Sequence, residues 1–283
     1  MKVIRDIGEA REEARRLHPT VLVPTLGALH EGHLSLIRAA RSLGRGAVVV
    51  SIFVNPTQFG LGEDYQRYPR PIDRDLELCR AEGVDLVFHP ETNAMYPPGE
   101  AGVVIDVPSL TCVLEGEHRP GHFIGVCRVV AKLFNILRPA AACFGRKDYQ
   151  QLRVIEAMTA GLGMPIEIIA CPTVREADGL AMSSRNAYLT PAGRPRAAAI
   201  HQALRLAARL VAEGQRDPEA VERAMHEHLI GAALVPDYAT LRDPVTLEPI
   251  GVIESPAQPL VALIAARLDG VRLIDNLMIP SSG

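Results

Sequence analysis

Two histidines three positions apart, His30 and His33, bracket Glu31-Gly32 in the stretch VLVPTLGALHEGHLSLIRAAR. An apolar β-type run ends at Pro24, and a loop carrying Gly27 and Gly32 follows. An amphipathic helix then begins, with Leu34, Ile37, Ala40 and Leu43 on one side. Strand, glycine-bearing loop and helix form the arrangement that points backbone N–H groups at a phosphate. Imidazoles at such a helix start can donate to phosphate oxygens and follow charge as it develops. A metal site is the rival reading, but it wants H-E-x-x-H on a helix, and no third ligand stands out. The third reading leaves both histidines as solvated loop residues, against which their place between a strand and a helix weighs.

Other polar stretches stand where apolar runs end. Asn55-Pro56-Thr57-Gln58 closes the run GAVVVSIFV, and a glutamine amide can both donate and accept a hydrogen bond. Asn55 either touches a ligand or fixes the turn before Pro56. Gly145-Arg146-Lys147-Asp148 closes ACF, and Gln151 opens the helical stretch behind it. Of 30 basic residues only Lys2, Lys132 and Lys147 are lysines, so an ammonium in a polar loop is an uncommon choice here. Asp73 and Asp75 are expected on a solvated helix face.

The elements that would hold these residues alternate. Asp6 is placed to cap a helix running to about Leu17, and Val21–Val23 begins a strand. Residues 46–54 are rich in β-branched side chains and fit a strand buried on both faces. A helix reaching Ala81, a strand at Asp85–Phe88, a helix over His122–Leu137 and strands at Ala141–Phe144 and Ile166–Ala170 complete the series. Alternation of this kind predicts β-α-β units and a doubly wound parallel sheet, with ligands outside the carboxyl ends of the strands. Residues 24–33 and 55–58 then share one rim. Between Thr92 and Pro120 the rhythm breaks into an insertion containing a β-like VVIDV. Beyond Thr190 come two amphipathic helices, the second opened by Asp217-Pro218, and then three β-type segments. The expected division is 1–173 and 174–283, with the polar stretch Thr173–Asn186 as a hinge and a small α+β domain after it.

Bulk composition narrows the classes. The chain has 283 residues and a net charge of −3, which gives no case for a broad basic nucleic-acid surface. Its five cysteines, Cys79, Cys112, Cys127, Cys143 and Cys171, are odd in number and form no C-x-x-C pair, so free thiols in a reducing cytosol are expected. No apolar signal core or membrane-length run is visible, and a cytoplasmic protein without a membrane partner is expected.

The decapeptide Pro24–His33 resembles the histidine signature of the nucleotidylyltransferase superfamily, and as a whole it is most similar to the pantoate–β-alanine ligase family. Further matching blocks follow in order: Phe53–Phe59, Tyr68-Pro69-Arg70, Arg119–Phe123, Lys147–Gln151 and Met182–Asn186. The resemblance implies a Rossmann-like domain with a smaller C-terminal α+β lid. It implies ATP-dependent condensation of pantoate with β-alanine through a pantoyl adenylate, releasing AMP and pyrophosphate. Magnesium would accompany ATP on the phosphates, with no protein metal site, and a homodimer is implied. Leu26, Gly27, Ala28, Leu29, His30, Glu31, Gly32 and His33 would contact ATP, with His33 at the proton-donor position. Gly145, Arg146, Lys147 and Asp148 would form a second ATP segment. Met182, Ser183, Ser184 and Arg185 would clamp the β- and γ-phosphates, and Val174 would meet the adenine. His33, His30, Lys147 and Arg185 are the catalytic set; Gln58, Gln151 and Asn55 would bind substrate. Leu26 stands where the family usually has Met, and Arg146 where it often has Glu or Gln.

Chemically, the substrate carboxylate is its own nucleophile, so the enzyme must supply charge stabilisation and positioning rather than a thiol or serine. Three other functions remain open at this point: a different nucleotidyl transfer, a metal-dependent hydrolase built on the two histidines, and a nucleotide-sensing module.

Overall fold

The computed structural model of the protein describes residues 1–255 and 258–279. Its contacts divide the chain into two compact units, Met1–Arg146 with Gln151–Pro172, and Lys147–Gln150 with Thr173–Gly283. Lys147–Gln150 thus belongs with the later part of the chain.

The first unit is built on a six-stranded sheet of order β1-β4-β3-β2-β5-β6, and all its pairings are parallel. The strands are β1 (Lys2–Ile4), β2 (Thr20–Thr25), β3 (Ala47–Ile52), β4 (Leu86–Phe88), β5 (Ala141–Gly145) and β6 (Glu167–Cys171). Helices α1 (Ile7–Leu17), α2 (Glu31–Ser42), α3 (Ile72–Ala81), α7 (His122–Leu137) and α8 (Tyr149–Gly161) connect them. Short turns α4 (Thr92–Met95), α5 (Pro108–Thr111) and α6 (Glu115–His118) occupy the insertion. Asp6 caps α1 by accepting the Glu9 N–H at 2.9 Å, worth about 1 kcal/mol.

Val21, Leu22 and Val23 are fully buried, as strands covered on both faces must be. The buried side chains Leu34, Leu36, Ile37 and Ala40 of α2 join Val21, Val23, Val48 and Val50 in one apolar cluster. Each such branched side chain contributes about 2 kcal/mol on burial. The strand order reverses direction between β2 and β5, which is the switch point where α/β sheets hold ligands.

The β-like VVIDV stretch, residues 103–107, lies in no strand, and Val103 and Val104 are 60% and 70% exposed. β-branched residues make a strand only against a partner ladder, and no strand pairs with these.

The second unit packs α10 (Ala199–Ala212) and α11 (Pro218–Gly231) against a three-stranded antiparallel sheet. Its strands are β7 (Val235–Arg242), β8 (Leu260–Leu268) and β9 (Val271–Ile279), and a short helix α9 (Gly193–Arg196) precedes the pair of helices. Asp217 caps α11 through the Glu219 N–H at 3.0 Å, with Pro218 at the first helical position. The polar stretch before α9 folds on itself as a small hairpin with an Arg175–Ala181 bridge.

Candidate active site

His33 is part of α2, and His30 is the residue that caps it. The helix starts at Glu31, so His30 is its N-cap residue and His33 lies in its first turn. His30 Nδ1 accepts the Gly32 N–H at 3.1 Å, and His33 Nδ1 accepts the His30 N–H at 3.3 Å. This reciprocal capping consumes both Nδ1 lone pairs. A neutral ring that accepts at Nδ1 carries its proton on Nε2. Both imidazoles, 4.1 Å apart by centroid, are therefore set as Nε2–H donors at a helix N-terminus. The same tautomer argues against zinc, because a ligating Nε2 would need the lone pair that its proton occupies.

The loop before the helix is held from below. Gly27 and Ala28 take φ values of 82° and 51°, a conformation that only the first adopts without strain. A Cβ on Gly27 would lie 3.0 Å from Asp75 Oδ2 and 3.1 Å from Ile52 Cγ2. Thr25 Oγ1 donates to the Ser51 carbonyl and accepts the Gly27 N–H at 3.2 Å. Asp75 accepts the N–H groups of Ala28 and Leu29, each at 2.8 Å. The expectation of a solvated Asp75 is wrong: it is 1% exposed, while Asp73 on the same helix is exposed. Burial pushes the Asp75 carboxyl above its usual range, and the two backbone N–H bonds pull the other way. The missed signal was its position in α3 one turn before Cys79, on the face that turns inward.

Asn55 to Gln58 leaves β3 on the same rim as the histidine loop. Asn55 caps the turn Pro56–Gln58 and is 0% exposed. Its amide nitrogen donates to Gln58 Oε1 and to the Gly125 carbonyl, both at 3.1 Å. Its oxygen accepts from Thr57 N, from Thr57 Oγ1 at 2.9 Å and from Tyr96 OH at 2.9 Å. An amide so fully engaged fixes the turn and orients Gln58. His122 adds a second brace, its Nδ1–H donating to the Gln58 carbonyl at 2.7 Å while Nε2 accepts from Arg119 at 3.1 Å. Burial, with the Arg119 charge, holds His122 down at about 4. Arg119 also forks onto Glu63 at 2.7 and 2.8 Å. Arg119 and His122, both in the matching block Arg119–Phe123, together brace the Gln58 carbonyl.

Gly145 ends β5, the neighbour of β2, and Arg146 follows beside Cys171. Gln151, in the first turn of α8, is half-buried. Thus Leu26–His33, Asn55, Gln58, Gly145, Arg146 and Gln151 all lie at or beyond the carboxyl ends of β2, β3 and β5. A cavity of about 310 Å³ opens at this rim, lined by Leu26, Gly27, Phe53, Arg70, Asp75 and His89 among others. Neither histidine of the loop lines it, nor does Gln58 or Gln151.

The second unit gathers the remaining residues. Lys147 Nζ lies 3.4 Å from Asp148 Oδ1. The Val174 carbonyl accepts the Met182 N–H at 3.0 Å, so these two close the base of the hairpin. Ser183 Oγ accepts the Arg185 N–H at 3.2 Å and starts the turn Ser184–Tyr188. Among the described residues no group of three or more His, Cys, Asp or Glu is placed to hold a metal ion. No helix among them is long and apolar enough to cross a membrane.

A family model for pantoate-beta-alanine ligase matches residues 2–278. The chain belongs to the pantoate–β-alanine ligase family. It is 49% identical over 284 residues to the pantothenate synthetase of Thermotoga neapolitana, covering 99% of this chain and 100% of that one. It is 48% identical to that of Chloroflexus aurantiacus strain J-10-fl over the whole of both. Among solved structures, pantothenate synthetase from Thermus thermophilus superposes with a TM-score of 0.93 at 42% identity, covering 99% of this chain and 100% of the other. A Francisella tularensis pantoate–β-alanine ligase, described as complexed with beta-gamma ATP and β-alanine, gives 0.80 at 32% identity, covering 99% and 98%. The chain is thus an enzyme of the ligase family, with the family's two-sheet architecture.

Proposed function

We propose that the enzyme joins pantoate to β-alanine at the expense of ATP, through a pantoyl adenylate. The observation that carries this reading is the pair of Nε2–H donors fixed at the start of α2, at the carboxyl end of β2, in a chain of this family. A pantoate carboxylate oxygen attacks the α-phosphorus, the bond to the bridging oxygen of pyrophosphate breaks, and that oxygen leaves with the electron pair. Negative charge grows on the equatorial and departing oxygens, and His30 and His33 donate to them. The β-alanine amine then attacks the acyl carbon, loses a proton, and expels AMP. Loss of one such donor from a preorganised site costs about 10²-fold in rate.

Leu26–His33, Gly145 and Arg146 of the first unit are assigned to ATP, as are Lys147, Asp148, Val174 and Met182–Arg185 of the second. Lys147 and Arg185 supply cationic charge to the phosphates. Magnesium enters with ATP, bound mainly by phosphate oxygens. With its oxygen held by Asn55, Gln58 offers its amide nitrogen as the donor to pantoate, and Gln151 is the second contact. Residues 1–173 and 174–283 are assigned as the nucleotide domain and its lid, in a homodimer working in the cytoplasm.

The test is direct. Protein supplied with ATP, pantoate and β-alanine should form AMP and pantothenate in equal amounts. Without the amine, pyrophosphate should appear once per active site and AMP release should stall. Formation of ADP, or turnover indifferent to pantoate, would sink the reading.

A further inference from the structure

In the second unit two consecutive polar residues of β9, Asp275 and Asn276, are 3% and 6% exposed. Strand alternation sends their side chains to opposite faces of the sheet. Asp275 falls in the row of Leu273, Leu277 and Ile279, which belongs to the apolar cluster under α10 and α11. A carboxylate there is costly to desolvate, and an apolar residue would pack more stably.

What the pair holds explains its presence. Asp275 accepts both arms of the Arg175 guanidinium, at 2.6 and 3.0 Å. Arg175 also donates to the Gly179 carbonyl at 3.0 Å and to the Asn276 carbonyl at 3.2 Å. It thereby fastens the hairpin whose base is the Val174–Met182 bond. Asn276, on the other face, donates its amide N–H to the Lys147 carbonyl at 2.9 Å. Its own backbone N–H goes to Asp275 Oδ1 at 2.8 Å, so the Asp275 carboxylate is tied to the Asn276 main chain. Lys147 and the 174–182 hairpin are distant in sequence, yet both are tied to one dipeptide of an edge strand.

We infer that Asp275 and Asn276 are positioning residues for the ATP half of the reaction, fixing the lysine segment and the clamp hairpin on a single strand. This rests on the assignment of Lys147 and Met182–Arg185 to ATP. Neither side chain need touch a substrate. Bidentate Arg–carboxylate geometry and an amide-to-carbonyl bond are rigid devices, and rigidity is what a phosphate clamp requires.

Asn276→Ala removes the Lys147 tie with little loss of packing. Three readouts separate a positioning role from a merely structural one. The variant should melt cooperatively. Its pantoate-dependent exchange of pyrophosphate into ATP should fall about tenfold or more, while KM for pantoate stays within about twofold. Hydrogen exchange of residues 147–149 and 174–182 should quicken without ATP, and Arg175→Lys, which keeps the charge but not the fork, should quicken the hairpin too. Exchange activity within about twofold of wild type, or equal losses toward ATP and pantoate, would overturn the inference. If the wild-type protein itself supports no exchange, the assigned function fails. The hydrogen-exchange comparison then decides the tie on its own: unchanged protection at Lys147 and the hairpin overturns it.

Discussion

His30 does two things with one ring. Its Nδ1 caps α2, which leaves the ring proton on Nε2. The two tasks can be separated, because asparagine is also a good N-cap but lacks a donor at the Nε2 position. His30→Asn is therefore expected to keep the melting temperature within a few degrees while adenylation falls about 10²-fold; pyrophosphate-exchange rates beside a thermal melt check both halves. Asp75 works from beneath the same loop. Asp75→Asn turns an N–H donor toward one of the two backbone N–H groups that the carboxylate accepts. The expected cost is about 2 kcal/mol of stability and about a tenfold fall in kcat/KM for ATP, read from urea unfolding and steady-state kinetics. An Asp75→Asn enzyme with wild-type kinetics would show that the loop keeps its shape without this anchor.

At the scale of elements, α7 sets the turn that carries Gln58. A Cβ on Gly125 would fall 2.2 Å from the Thr57 carbonyl oxygen. Gly125→Ala must push helix and turn apart, at about 1–3 kcal/mol. KM for pantoate should rise several-fold while ATP binding is spared, and an unchanged KM would place Gln58 outside the acid's pocket. Periodicity made the main elements legible: the bounds of α7 follow from its apolar pattern, and Asp6 and Asp217 announce their helices. The rim shared by the histidine loop and Asn55–Gln58 follows from parallel β-α-β winding. Three things were not legible. Residues 103–107 have strand composition but no ladder. Asp75 looks like any acidic residue of a helix until the loop above it is folded. Asp275-Asn276 draws no notice in a strand whose chemistry appears only through the segments it anchors. A polar residue's role lies in its partners, and those partners are remote in sequence.

For the molecule as a whole, pH reports on the brace behind Gln58. Above about pH 6.5, the unperturbed histidine value, His122 is neutral whether folded or not. As pH falls from there to about 4, the unfolded chain takes up a proton that the buried ring refuses. Stability is thus full above that window and is lost across it, by a few kcal/mol at most. Glu63 acts in the same direction: burial opposes its charge, but the Arg119 fork outweighs burial and holds its carboxyl below the ordinary range. Its share is present above the ordinary glutamate value and is lost as pH falls through the lowered one. Urea unfolding of wild type and His122→Gln across pH 4 to 7 checks this, the variant being expected to show the shallower slope.

Pro24 carries a further consequence. Along β2, Thr25 accepts from Phe53 on the β3 side, while Thr20 accepts from Ala140 on the β5 side. Alternation puts the nitrogen of Pro24 toward β5, where it has no hydrogen to give. The β2–β5 ladder stops at Leu22–Ala142, while β2–β3 continues to Thr25. Pro24 works as a zip stop: the two strands are laddered at one end and not at the other, and the unladdered end lies at the switch point of the sheet. Pro24→Val restores the missing hydrogen and is expected to raise the melting temperature while lowering turnover. At this position a sturdier sheet and a working enzyme are competing outcomes.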